Sequence, residues 1–142
     1  MAKKTTRQLA KEKAWKEFSI YIRTRDCLRF TGTPTEGRCI TCNRWFDFKQ
    51  LQAGHFVGGR GNAVLFDERL VHSQCFYCNA KPPRGLGGNY AEYMLFMIRE
   101  VGLEQAEAYL RIKGTTKVYK EHDFVELKDE FKRKTRLLLD KA

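Results

Sequence analysis

The chain has 142 residues, 42% apolar and 13% aromatic, which suits one domain with a modest core. Lys and Arg outnumber Asp and Glu 27 to 17, giving a formal charge of +10 and a pI near 9.5; this favours a polyanionic partner, nucleic acid first, over an anionic membrane surface. No apolar run approaches the length of a bilayer span, and no signal-peptide core follows the basic stretch Met1 to Lys13, so a protein that neither spans a membrane nor is secreted is expected.

From 5 to 26 the chain lacks Gly and Pro, and Leu9, Ala14, Trp15, Phe18, Tyr21, Ile22 and Arg25 follow helical spacing with basic residues between them. That pattern predicts an amphipathic N-terminal helix. "FTGTPTEGRC", Phe30 to Cys39, reads as a turn-rich connector. "RWFDFKQLQAGHFV", 44–57, carries patches of aromatic and apolar residues with strand-like alternation near its end, so a short strand finishing at His55 is expected, broken by "GGRGN". A returning strand over 69–74 and a helix opening at Cys75 follow, ended or interrupted by "KPPRGLGG". Asn89 is placed to cap a helix whose Tyr90, Met94, Met97 and Ile98 form an apolar stripe closed by Gly102. "EQAEAYLRIKG" predicts a short helix ending at Gly114, and Phe124 to Lys141 a last one with Leu127, Phe131 and Leu138 inward and a basic face outward.

Five cysteines without a signal peptide, four of them in two C-x-x-C pairs, argue for a reducing compartment and for metal rather than disulfides. Cys39 and Cys42 in "CITC", with Cys75 and Cys78 in "CFYC", supply four thiolates that match a tetrahedral zinc, one per chain. Four sulfurs leave no open coordination position, so this zinc is expected to be structural. Cys27 stands apart and reads as a small, partly buried hydrophobe rather than a reactive thiol. The 32 residues between the pairs hold two of the three histidines, while His122 reads as surface. A hairpin of 50–55 and 69–74 followed by a helix from Cys75 would be a ββα unit pinned by zinc at both ends, bringing His55, His72 and Asn79 towards one another. The expected fold is α+β and mostly helical, a single domain over 1–142: a helix at 5–26, the zinc-bound ββα core at 39–80 and a helical part at 89–142.

"CITC", "AGHF", "LFDERLVHSQCFYCN" and "GGN" resemble the NinG/Rap family of lambdoid-phage recombination endonucleases from about Trp15 to the last helix. More distantly, a C-x-x-C pair, a strand ending in His, and C-x-x-C-N are similar to recombination endonuclease VII of the HNH class. The resemblance implies an HNH-like, treble-clef-like ββα-metal core and a structure-selective DNA endonuclease of phage recombination. It would act on Holliday junctions or other branched DNA with Mg²⁺ or Mn²⁺, in the cytoplasm of a phage-infected bacterium. It also assigns His55 as general base and Asn79 as a ligand of the catalytic metal. The chemistry is sound by itself: an imidazole of pKa about 6.5 can take a proton from water, and a hard cation can stabilise charge on the phosphate.

One position departs from the endonuclease VII pattern, where an Asp that binds the metal precedes the catalytic His; here that residue is Gly54. Because an antiparallel hairpin runs residues near 72 back beside His55, His72 is the nearest metal-binding side chain to take that place, and Asp67, Glu68 or water are the alternatives. Two cuts across a junction would suit a C₂ homodimer formed through the 90–98 stripe or the last helix. The rival reading is a non-catalytic zinc module that binds DNA or RNA through its basic helices; a site-specific homing or restriction nuclease would want base-reading elements for which the chain has little room.

Overall fold

The computed structural model describes residues 2–58, 61–114 and 117–142, without the side chains of 62, 113 and 114. Gly59 and Arg60 of the predicted break, and Thr115 and Thr116 ahead of the last helix, therefore lie outside the described residues. Helix α1 spans Thr6–Thr31. Thr5 and Gln8 form a capping box, with the Thr5 hydroxyl accepting from Gln8 N–H at 3.1 Å and Gln8 Oε1 accepting from Thr5 N–H at 2.8 Å. The helix runs five residues past the predicted end. It stops at Gly32, whose φ of 77° lets its N–H turn back to Leu28 O. The apolar spacing ends at residue 26, but nothing breaks the backbone until that glycine.

The knuckle segment holds a hairpin that the sequence reading missed: β1, Glu36–Arg38, pairs antiparallel with β2, Trp45–Asp47. The expected second hairpin is present as β3, Leu51–His55, against β4, Val71–Cys75, in the register Leu51↔Cys75 through His55↔Val71. Between these strands lie a turn of helix, α2, Asn62–Leu65, and a 3₁₀ turn, Glu68–Leu70. Helix α3, Phe76–Asn79, opens directly after Cys75 but is only four residues long. Pro82 and Pro83 could not continue it.

Among the described residues three α-helices and a 3₁₀ turn follow: α4, Tyr90–Val101; α5, Leu103–Leu110; the 3₁₀ turn Arg111–Gly114; and α6, Glu121–Asp140. In α4 Tyr93, Phe96 and Met97 are buried and Met94 and Ile98 of the predicted stripe pack partly buried against the core, while Tyr90 at its start is exposed. Asn89 does not cap this helix through its side chain; it takes a left-handed backbone, φ 49°, and sends Nδ2 to Cys78 Sγ at 3.6 Å.

The core gathers Ala14, Phe18 and Ile22 of α1, Ala53 of β3, Val71 of β4, Tyr93 and Met97 of α4 and Phe124 and Phe131 of α6. Helix α6 packs along α1, with the Phe18 and Phe131 rings 4.8 Å apart. Leu127 and Leu138 are partly buried against the same core. Cys27 is fully buried, deeper than the partial burial expected of it, and burial pushes its thiol up to about 11. Gly37 passes so close that a Cβ there would lie 2.6 Å from the Cys27 sulfur.

Asp26 joins α1 to the second hairpin. It is 1% exposed, accepts from the Ser73 backbone N–H at 2.8 Å, and is paired with Arg25 at 2.8 Å. Arg25 in turn donates to Glu68 O at 2.8 Å and Val71 O at 2.7 Å. Asp26→Ala would leave the Ser73 N–H unpaired and the half-buried guanidinium without its counter-ion. Urea unfolding is expected to report a loss of about 3 kcal/mol, the usual cost of removing one partner from a buried pair; a change below about 1 kcal/mol would show that the clamp contributes little.

Candidate metal centre and adjoining cleft

Cys39 and Cys42 flank the turn between β1 and β2, where Asn43 takes a left-handed φ of 63° and closes back on Cys39 O at 2.8 Å. Cys75 ends β4 and Cys78 lies in α3. The knuckle is tied to the hairpin by Ile40 N–H bonding Ser73 O at 3.0 Å. As a result the four sulfurs lie within 4.8 Å of one another, and Cys42 and Cys75 are 3.9 Å apart. Zinc–sulfur bonds of about 2.3 Å in a tetrahedron require sulfurs about 3.8 Å apart, so the donor set fits a structural metal such as zinc. Polar groups surround it: Thr41 Oγ lies 3.2 Å from Cys39 Sγ, and Cys78 N–H approaches Cys75 Sγ at 3.5 Å.

A cleft of about 590 Å³ runs beside β3, lined by Trp15, Ser19 and Arg23 of α1, Gln52, Ala53 and His55 of β3, and Asn79 and Lys81 behind the second knuckle. It takes residues from both faces of β3, as a cleft along the unpaired edge of a two-stranded sheet must. His55 is held in two directions. Its ring stacks on Trp15 with centroids 5.3 Å apart and planes 16° from parallel, and its Nε2 lies 3.1 Å from Leu65 O. A carbonyl only accepts, so Nε2 carries a hydrogen, and in the neutral ring the lone pair is then on Nδ1. Asn79 donates Nδ2–H to Gln52 Oε1 at 2.8 Å, which turns its own Oδ1 the other way.

His72 is not part of this cleft, and its expected role as a ligand beside His55 and Asn79 is corrected. It pairs with Gly54, whereas His55 pairs with Val71, so alternation puts the two imidazoles on opposite faces of the hairpin. Its ring packs against Phe96 at 4.9 Å in a separate cavity with Arg25, Arg29 and Glu100. Tyr93 donates its only hydroxyl hydrogen to Gly54 O at 2.7 Å, so His72 Nδ1–H must donate to the Tyr93 oxygen at 3.2 Å. Burial lowers the His72 pKa to about 4, leaving it neutral at pH 7. Among the alternatives, Asp67 bonds Arg69, and Glu68 bonds Tyr21 and Lys134; neither lines the cleft. His122 is on the surface, 3.3 Å from Asp123.

The place of the missing Asp is filled. A Cβ on Gly54 would fall 1.9 Å from Gln74 Oε1, and Gln74 is held by Nε2 bonds to Thr41 Oγ at 3.1 Å and Gly88 O at 2.8 Å. Among the described residues lining the cleft there is no Asp or Glu, while Arg23 and Lys81 contribute positive charge. The lining therefore matches a phosphate by charge. Its donors for a hard cation are neutral, so Mg²⁺ or Mn²⁺ fits here only when phosphate oxygens complete its shell. The sequence reading did not place Trp15 and Arg23 at the cleft, because Trp15 reads as one more apolar position of an amphipathic helix and Arg23 as one of its basic residues. The recurrence of Trp15, Ser19 and Arg23 every four residues is the sequence signal that links them.

If zinc occupies the thiol cluster, the purified chain should carry one equivalent by atomic spectroscopy, and Cys78→Ala should lose both the metal and the cooperative unfolding transition. A folded, metal-free wild-type preparation would contradict this.

Among the described residues no helix is long and apolar enough to cross a membrane. No curated protein and no solved structure matches the chain. A family model described as Bacteriophage Lambda NinG protein matches residues 1–141, and the chain belongs to that family.

Proposed function

We propose that this chain is a divalent-metal-dependent endonuclease that cuts branched DNA, such as Holliday junctions, in phage recombination, through an HNH-like ββα core. The observation that supports this most is the placement of His55, whose Nε2 lies 3.1 Å from Leu65 O in a cleft walled by Arg23 and Lys81. In this reading Nδ1 takes the proton from the attacking water, and Trp15 keeps the ring from turning. Arg23 and Lys81 hold the phosphodiester by charge. Asn79, with Gln52 beside it, would help to hold Mg²⁺ or Mn²⁺, which when bound would stabilise charge developing on the phosphate. A C₂ homodimer would place two such clefts on one junction for symmetric cutting.

The rival, a zinc module that only binds nucleic acid, accounts equally for the net charge of +10 and the thiol cluster. It gives no role to a histidine held by Leu65 O and the Trp15 ring inside a basic cleft. A synthetic four-way junction and a linear duplex of the same sequence, each incubated with Mg²⁺ or Mn²⁺, separate the two. The junction is expected to be nicked at least about tenfold faster than the duplex, with no cutting when the metal is omitted. Tight junction binding with no cleavage under either metal would favour the binding module.

A further inference from the structure

Helix α1 borders a second cleft, of about 450 Å³, lined by Lys4, Gln8, Lys11, Glu12, Trp15 and Leu65. Trp15 lines this cleft and the one containing His55. Along α1 the lining residues Gln8, Lys11, Trp15, Ser19 and Arg23 follow intervals of three and four, so they form one continuous stripe. Glu12, the acid of the second cleft, is ion-paired with Lys4, which leaves Lys11 to set the local charge. At the far end Arg23 is fixed by its Nε bond to Ser19 O at 3.1 Å and lies over the Phe48 ring at 4.5 Å.

From these contacts we infer that the α1 stripe is one wall of a track for a single nucleic-acid strand, running from Lys11 past Trp15 and His55 to Arg23. The inference rests on the nuclease reading only for direction, since it says how a strand reaches His55. Lys11 to Arg23 covers about 18 Å of helix, enough for several backbone phosphates. Cations at both ends with an aromatic between them match the way proteins follow single strands, by charge along the backbone and flat side chains beside the bases. A strand occupying both clefts must pass the Trp15 edge.

Two tryptophans occur in the chain, so Trp45→Phe leaves Trp15 as the only one. This variant, zinc-loaded and without Mg²⁺ or Mn²⁺, is titrated with a fluorescein-labelled oligothymidylate while Trp15 emission and label anisotropy are recorded. Both signals are expected to change with one dissociation constant. In that background Lys11→Glu should weaken binding about tenfold and lower the salt slope by about 0.7. Lys132→Glu, the same charge change on an exposed residue of α6 that lines neither cleft, should stay within about twofold of the parent. Anisotropy that rises with no change in Trp15 emission, or equal weakening by the two substitutions, would overturn the track and leave junction cleavage by the wild-type chain unaffected. Trp15 quenching without cleavage of any junction would support the track and remove the nuclease reading. Absence of oligothymidylate binding would overturn the track.

Discussion

Asp26 is the only carboxylate buried among the described residues, and the arrangement of α1 over the second hairpin depends on it. An isolated buried charge is costly, so its position is stable only where partners surround it. Arg25 supplies the counter-ion, and Ser73 N–H a further hydrogen bond. Because Arg25 also bonds Glu68 O and Val71 O, one residue pair fixes the C-terminal half of α1 to the entry and the middle of β4. The rigid helix carries that constraint about three turns back to Trp15, which therefore meets His55 face to face. The thiol cluster fixes the other end of the same strand at Cys75.

Much of this was legible in the sequence. Paired C-x-x-C motifs placed both knuckles, and alternation around "LQAGHF" with "LVHSQC" placed the hairpin to within two residues. Strands β1 and β2 were not legible, because each is three residues long and β1 contains Gly37. Their pairing depends on the knuckle turn and on Cys27 accepting a neighbour with no side chain. The face occupied by His72 was not legible either. A shift of one residue in register exchanges the two faces of a strand, and spacing along the chain does not fix that parity. Of the stripe expected in α4, Met94, Met97 and Ile98 do pack on the core and Tyr90 does not. Tyr90 looks as apolar as Tyr93, but only Tyr93 has a partner for its hydroxyl in the core, Gly54 O.

The cleft beside β3 differs from a carboxylate-rich metal site in its charge. Gln74 occupies the volume that an acidic side chain at position 54 would need, and its amide is held by Thr41 of the first knuckle and Gly88 beyond the second. With Arg23 and Lys81 in the lining and no Asp or Glu among its described residues, the cleft attracts the phosphate before it attracts a cation. On the proposed reading, substrate and divalent metal would bind interdependently. That is a different balance from a site whose own carboxylates hold the ion ahead of the substrate.

In the proposed chemistry His55 acts on water through Nδ1, and a single-turnover cleavage rate on a four-way junction tests that role most directly. His55→Ala should retain zinc, far-ultraviolet circular dichroism and junction affinity to within about twofold, while the cleavage rate falls by about a hundredfold or more. A rate within about tenfold of wild type, in a variant that binds and folds normally, would remove His55 from the chemistry and contradict the account.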